Sequence, residues 1–120
     1  MTTTSAQGAV QAAAGRERRR FPRVRGPFDG SWAGAAGNGA ARIWDLSTGG
    51  CYIDALNDQR IGQSLTVAID LPEGRVEAGG EIVYSLPNQG FALRFVTMDD
   101  ASRQTLDRAV DRMLAAGQGT

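Results

Sequence analysis

The chain has 120 residues, with 13 basic and 13 acidic side chains and a formal net charge of zero. Every basic residue is an arginine, since the sequence contains neither lysine nor histidine. These absences exclude a Ser-His-Asp triad, a Schiff-base lysine and the usual His/Cys zinc site, so we expect no catalytic activity and no cofactor. The length is that of one soluble domain.

The first 26 residues predict a tail followed by an arm. Residues 1–15 are small and polar, which is typical of a disordered tail. Residues 16–26 form an arginine-rich, ligand-binding arm, in which Pro22 prevents a helix. The segment 16–25 has six arginines and one glutamate, a net charge of +5, whereas the rest of the chain carries −5. A compact guanidinium cluster on an acidic body indicates an anion site.

Residues 27–116 predict a small antiparallel β-barrel with a C-terminal helix. Short strands with turn signals between them favour a barrel, and Leu65, Val67 and Ile69 alternate as in a strand with one buried face. Gly79-Gly80 predicts a bulge or a bend of the barrel. The predicted strands are Phe28–Ala33, Ala41–Leu46, Cys51–Leu56, Ser64–Asp70, Val76–Ser85 and Phe91–Val96.

The last segment changes to helical periodicity. Asp99 or Asp100 is the candidate N-cap, and Gly117 marks the end. The apolar stripe packs against the barrel or against a partner, and the sequence leaves both open. The stripe consists of Leu106, Ala109, Val110, Met113 and Leu114.

Two short motifs carry the functional prediction. Arg19 and Arg23 form an R-x-x-x-R pattern before the first strand. Asp45, Ser47 and Gly50 form a D-x-S-x-x-G pattern at the turn between the second and third strands. In this order, with six strands and a terminal helix, the chain from about Arg16 to Leu114 resembles the PilZ domain family, the bacterial receptors for cyclic di-GMP.

The resemblance implies a mainly β fold, a six-stranded antiparallel PilZ-like barrel with a C-terminal α-helix and a flexible N-terminal arm. It also implies that Arg19 and Arg23 contact guanine and phosphate, while Asp45, Ser47 and Gly50 line the opposite wall. Arg18 precedes the first motif arginine, and the resemblance there implies an intercalated cyclic di-GMP dimer. The implied ligand-binding residues are Arg18, Arg19, Arg20, Arg23, Asp45, Ser47 and Gly50.

The chemistry of these residues agrees with such a ligand. A guanidinium binds phosphate oxygens bidentately, matches the O6/N7 edge of guanine and stacks on a purine. A carboxylate such as Asp45 accepts hydrogen bonds from guanine N–H groups, and Gly50 permits a close backbone approach.

We therefore expect a signalling receptor whose arm, residues 16–25, is mobile when free and becomes ordered on the ligand. The output then passes to an unidentified downstream protein or through a homodimer, and a monomer is equally compatible with the sequence. Neither nucleic acid nor a membrane is an expected partner. Cys51 has no disulfide partner and the polar N-terminus is a poor secretory signal, so a cytoplasmic location is expected.

Three alternatives stay open at this point. The chain is alternatively a degenerate PilZ-like adaptor that binds protein and no nucleotide. An arginine arm on a barrel also fits RNA or single-stranded DNA, and a flavin-binding barrel is the weakest candidate.

Arg94 on the last strand is either a surface residue or a further anion contact. Trp32, Trp44 and Cys51 are expected to serve packing.

Overall fold

The computed structural model describes residues 21–35, 37–54 and 60–117, and within them the chain forms six strands and one helix. The predicted tail, 1–15, and residues 16–20 of the predicted arm lie outside the described residues. The elements are β1 Phe28–Gly34, β2 Gly37–Trp44, β3 Gly50–Asp54, β4 Ser64–Leu71, β5 Gly74–Leu86, β6 Gly90–Met98 and α1 Asp100–Ala115.

The six strands close into an antiparallel barrel in the order β1-β2-β3-β6-β5-β4. The predicted fold class is confirmed. Inward-facing side chains fill the barrel, as the alternation on β4 predicts, since Leu65, Val67 and Ile69 are all buried. Trp32 is also buried and meets Phe91 edge-to-face, with 6.4 Å between the ring centroids, so its predicted packing role is confirmed.

The predicted limits of β2 are wrong at both ends. The strand begins at Gly37 instead of Ala41, because the glycine-rich segment pairs with β1 through its backbone, with Gly34 opposite Gly37. It ends at Trp44 instead of Leu46, because Asp45 takes a left-handed backbone conformation with φ 46°. The chain therefore leaves the sheet at the first residue of the D-x-S-x-x-G motif.

Strand β5 contains two irregularities where it pairs with β6. The register shift at Gly79/Gly80 confirms the predicted bulge, whereas the shift between Ile82 and Tyr84 was not predicted. A bulge places successive residues on one side of a strand. Val83 and Tyr84 are accordingly both exposed on the outside of the barrel.

The helix α1 packs on its own barrel, which settles the alternative left open by the sequence. The Asp99 side chain caps it by accepting a hydrogen bond from Ser102 N at 2.7 Å. The Ser102 hydroxyl is buried and accepts from Glu77 N of β5 at 3.0 Å. At the other end, Arg112 forms an ion pair with Glu73 of the β4–β5 turn. In the described part of the chain, no helix is long and apolar enough to cross a membrane.

Candidate functional site

The arm and the D-x-S-x-x-G turn are joined by one antiparallel bridge between Val24 and Leu46. Val24 N donates to Leu46 O at 2.8 Å, and Leu46 N donates to Val24 O at 2.9 Å. Both side chains have 0% exposure and belong to the barrel core. The C-terminal part of the arm is therefore anchored to the barrel, in contrast to the expectation that all of residues 16–25 are mobile when free.

This bridge sets which arm residues lie beside which motif residues. In an antiparallel pair centred on Val24 and Leu46, Arg23 neighbours Ser47 and Arg25 neighbours Asp45. Because Val24 faces inward, the residues on either side of it face outward, and both arginines are exposed. The second arginine of the R-x-x-x-R motif thus lies next to the D-x-S-x-x-G turn. Arg18, Arg19 and Arg20 lie outside the described residues.

Asp45 is placed at the surface by the left-handed turn that ends β2. Aspartate adopts this conformation more readily than most residues, which explains why the chain can reverse here without glycine. Asp45 is exposed and, within the ranges that the structure describes, has no arginine at ion-pair distance. Its oxygens can therefore accept hydrogen bonds from a ligand.

Ser47 is buried, with 8% exposure, and its hydroxyl serves the turn itself. The Ser47 Oγ accepts from Gly49 N at 3.1 Å and from Gly50 N at 3.2 Å, and lies 3.3 Å from Gly50 O. A serine hydroxyl that satisfies successive backbone N–H groups fixes a turn. Ser47 therefore stabilises the shape of the turn, and its direct contact with a ligand stays a prediction.

Both glycines of the turn have close neighbours at the position where a side chain would begin. A Cβ atom on Gly50 would lie 2.3 Å from Leu93 O, so any side chain would disturb the pairing of β3 with β6. A Cβ atom on Gly49 would lie 2.6 Å from the ring of Phe21, which packs on this turn. Gly50 thus permits close approach of β6, and its predicted close approach to a ligand is not tested by this geometry.

The turn is also held by β6 and by α1. Phe95 N donates to Gly49 O at 2.9 Å, and Arg103 Nη1 of the helix donates to Thr48 O at 2.9 Å. The turn is therefore fixed from three directions, by the arm, a strand and the helix. A site built on such a fixed turn needs little reorganisation when it binds a ligand.

Arg94, which the sequence left open, lies beside the turn on the outer surface. It is opposite Gly50 in the β3–β6 register, is exposed, and forms an ion pair with Glu81 at 2.6 Å.

A depression of about 630 Å³ opens next to the D-x-S-x-x-G turn, between the arm, the ends of β2 and β3, and the β5–β6 turn. In the parts of the chain described, no group of three or more His, Cys, Asp or Glu side chains could hold a metal ion.

These elements define a small six-stranded β-barrel domain in which an N-terminal arm is bridged to a fixed surface turn. The chain belongs to the PilZ domain family, whose model matches residues 17–112. Members of this family are non-enzymatic receptors for cyclic di-GMP.

Several solved structures share the fold. The inhibitor of motility MotI/DgrA of Bacillus subtilis has a TM-score of 0.70 at 18% identity, over 82% of this chain and 53% of that one. The PilZ domain of YcgR from Escherichia coli, solved with c-di-GMP, has a TM-score of 0.67 at 14% identity, over 84% of this chain and 95% of that one. The MrkH–c-di-GMP complex of K. pneumonia has a TM-score of 0.66 at 17% identity, over 85% of this chain and 54% of that one.

The chain therefore spans about half the length of the MotI/DgrA and MrkH chains. A search of curated proteins found no match.

Cys51, directly after the D-x-S-x-x-G motif, is buried as predicted, and burial raises its pKa to about 12. We expect it to resist thiol reagents at pH 8, because the reactive thiolate is scarce below the pKa and the reagent cannot reach the barrel interior. Ellman's reagent checks this, with a second thiol introduced by Ala33→Cys at an exposed position as the internal comparison. One fast thiol and one slow thiol are expected, and two fast thiols would contradict the burial of β3.

Proposed function

We propose that this chain is a cyclic di-GMP receptor of bacterial second-messenger signalling. The observation that carries the proposal is the Val24–Leu46 bridge, which brings Arg23 of one motif next to Ser47 of the other. Membership of the PilZ family supports the proposal, and so does the likeness of its fold to two proteins solved with c-di-GMP.

In the proposed complex, Arg23 binds a phosphate or the O6/N7 edge of a guanine, and Asp45 accepts hydrogen bonds from guanine N–H groups. Both side chains are exposed on the surface that the bridge creates. A guanidinium and a carboxylate on one surface recognise both features of the ligand, its negative charge and its guanine donors. Ser47 and Gly50 keep the turn in shape underneath the ligand.

The signal is proposed to be the ordering of the arm. Val24 is hydrogen-bonded to Leu46 without a ligand, so the segment that the ligand would order is the part of the arm before Val24. There, Arg16, Arg18, Arg19 and Arg20 repel one another, and the phosphates of the nucleotide would neutralise them. The ordered arm would then change the surface that a downstream protein contacts.

The ligand is proposed to bind as an intercalated dimer. Arg18 supplies a guanidinium beyond the R-x-x-x-R pair, and a second stacked nucleotide brings two further phosphates for it to bind. A single molecule brings two phosphate charges to the +5 of residues 16–25, whereas a dimer brings four.

Isothermal titration calorimetry with cyclic di-GMP tests the receptor function. We expect the wild-type chain to bind two nucleotides per chain and not to bind GTP. Arg23→Ala should weaken binding about tenfold to a hundredfold, because a hydrogen bond to a charged group contributes about 1.5–3 kcal/mol.

The matched control for this variant is Arg108→Ala, which removes an exposed arginine from the outer face of α1 and should leave the affinity unchanged. No binding by folded wild-type protein would contradict the receptor function and favour the degenerate adaptor. Equal losses in the two variants would indicate a general charge effect instead of a site.

Hydrogen–deuterium exchange tests the ordering of the arm. We expect cyclic di-GMP to slow the exchange of amides in residues 16–23, because binding holds a repelling segment in one conformation. The amide of Val24 donates to Leu46 and should be protected with or without ligand. Equal exchange of residues 16–23 in both states would contradict this mechanism while leaving binding itself intact.

A further inference from the structure

The depression beside the motif turn brings further polar and aromatic side chains next to Asp45 of the D-x-S-x-x-G motif. It is an open depression with a volume of about 630 Å³. Asp45 and Arg25 stand at its edge next to the arm, and Trp44, Tyr52 and Asp54 extend it along β2 and β3. Neither sequence motif includes these last three residues.

Two aromatic side chains lie next to each other on the outer surface of the barrel. Trp44 and Tyr52 are directly opposite in the β2–β3 register, and both are half-buried. Tyr52 lies over Gly90, where a Cβ atom would come within 2.9 Å of its hydroxyl oxygen. Aromatic side chains on a protein surface can stack on a planar base.

The polar groups around these rings match the edge of guanine. Asp54 and Asp45 provide carboxylate oxygens, and Asn88 and Gln89 of the β5–β6 turn provide amides. Arg42 is opposite Asp54 in the β2–β3 register, but among the residues that the structure covers no arginine lies within ion-pair distance of Asp54. Its oxygens are thus available to accept from guanine N1–H and N2–H₂.

Adenine does not fit the same groups. Its N1 is an acceptor and would face the lone pairs of a carboxylate, whereas guanine presents two donors there. Arg25 supplies the complementary donor for O6 and N7 of guanine. The Tyr52 hydroxyl stays protonated, since burial and the nearby carboxylate of Asp54 raise its pKa, and it can donate as well.

We propose that this depression is a base pocket in which Trp44 and Tyr52 stack on one guanine and Asp54 accepts its N–H groups. The inference rests on the proposed function, because the guanine belongs to cyclic di-GMP held by the arm. It assigns to the pocket, including Arg25, the selection of guanine over adenine, while the arm arginines before Val24 supply the phosphate contacts.

The pocket is tested by titrating cyclic di-GMP and cyclic di-AMP into the full chain and into Asp54→Asn. We expect this variant to lose about tenfold in affinity for cyclic di-GMP and to discriminate less against cyclic di-AMP. The control is Asp107→Asn, an equal change of charge on the exposed face of α1, which should behave as wild type. Identical affinities and selectivity of Asp54→Asn and Asp107→Asn would overturn the pocket and leave the receptor function standing.

Tryptophan fluorescence gives a readout that a general loss of affinity cannot imitate. Trp32 is 3% exposed inside the barrel, whereas Trp44 lines the pocket, so stacking of guanine should quench only Trp44. Saturating cyclic di-GMP should quench the wild-type emission, and Trp44→Phe should abolish the quenching while some binding remains in calorimetry. Saturation without quenching would overturn the pocket, and absence of binding by wild type would overturn the receptor function together with it.

Discussion

Two hydrogen bonds between Val24 and Leu46 determine where everything else in the site can lie. They join a charged arm to a surface turn, and both side chains are buried in the core, which anchors the junction to the barrel. Because side chains alternate on either side of this pair, Arg23 and Arg25 are directed outward next to Ser47 and Asp45. The proposed recognition of a charged guanine nucleotide depends on this junction.

Within the D-x-S-x-x-G motif, Ser47 and Gly50 maintain the structure of the turn, whereas Asp45 is exposed to a ligand. Ser47 and Gly50 are committed to the protein, the first to backbone N–H groups of the turn and the second to the approach of β6. Asp45 alone presents its functional group outward. Hydrogen bonds from Phe95 and Arg103 to the turn link this site to β6 and to α1, which gives a bound ligand a physical connection to the helix.

The sequence predicted the six strands, the capped helix and the Gly79-Gly80 bulge because each has a local signal in periodicity, capping or glycine. It did not predict the end of β2 at Trp44, since the left-handed conformation of Asp45 has no pattern of its own. The pocket was missed for another reason. Alternation could have placed Trp44 and Tyr52 outward, but only the β2–β3 register places them side by side, and register depends on tertiary pairing.

The most direct test of the shared surface is an amide chemical-shift titration of the labelled chain with cyclic di-GMP. The account predicts that the largest perturbations fall on the amides of Arg23, Leu46, Gly49 and Tyr52, which surround the bridge and the turn. Residues on the exposed face of α1, such as Asp107 and Arg108, should shift little. Perturbations confined to the β1–β4 side of the barrel, or spread evenly over all arginines, would contradict it.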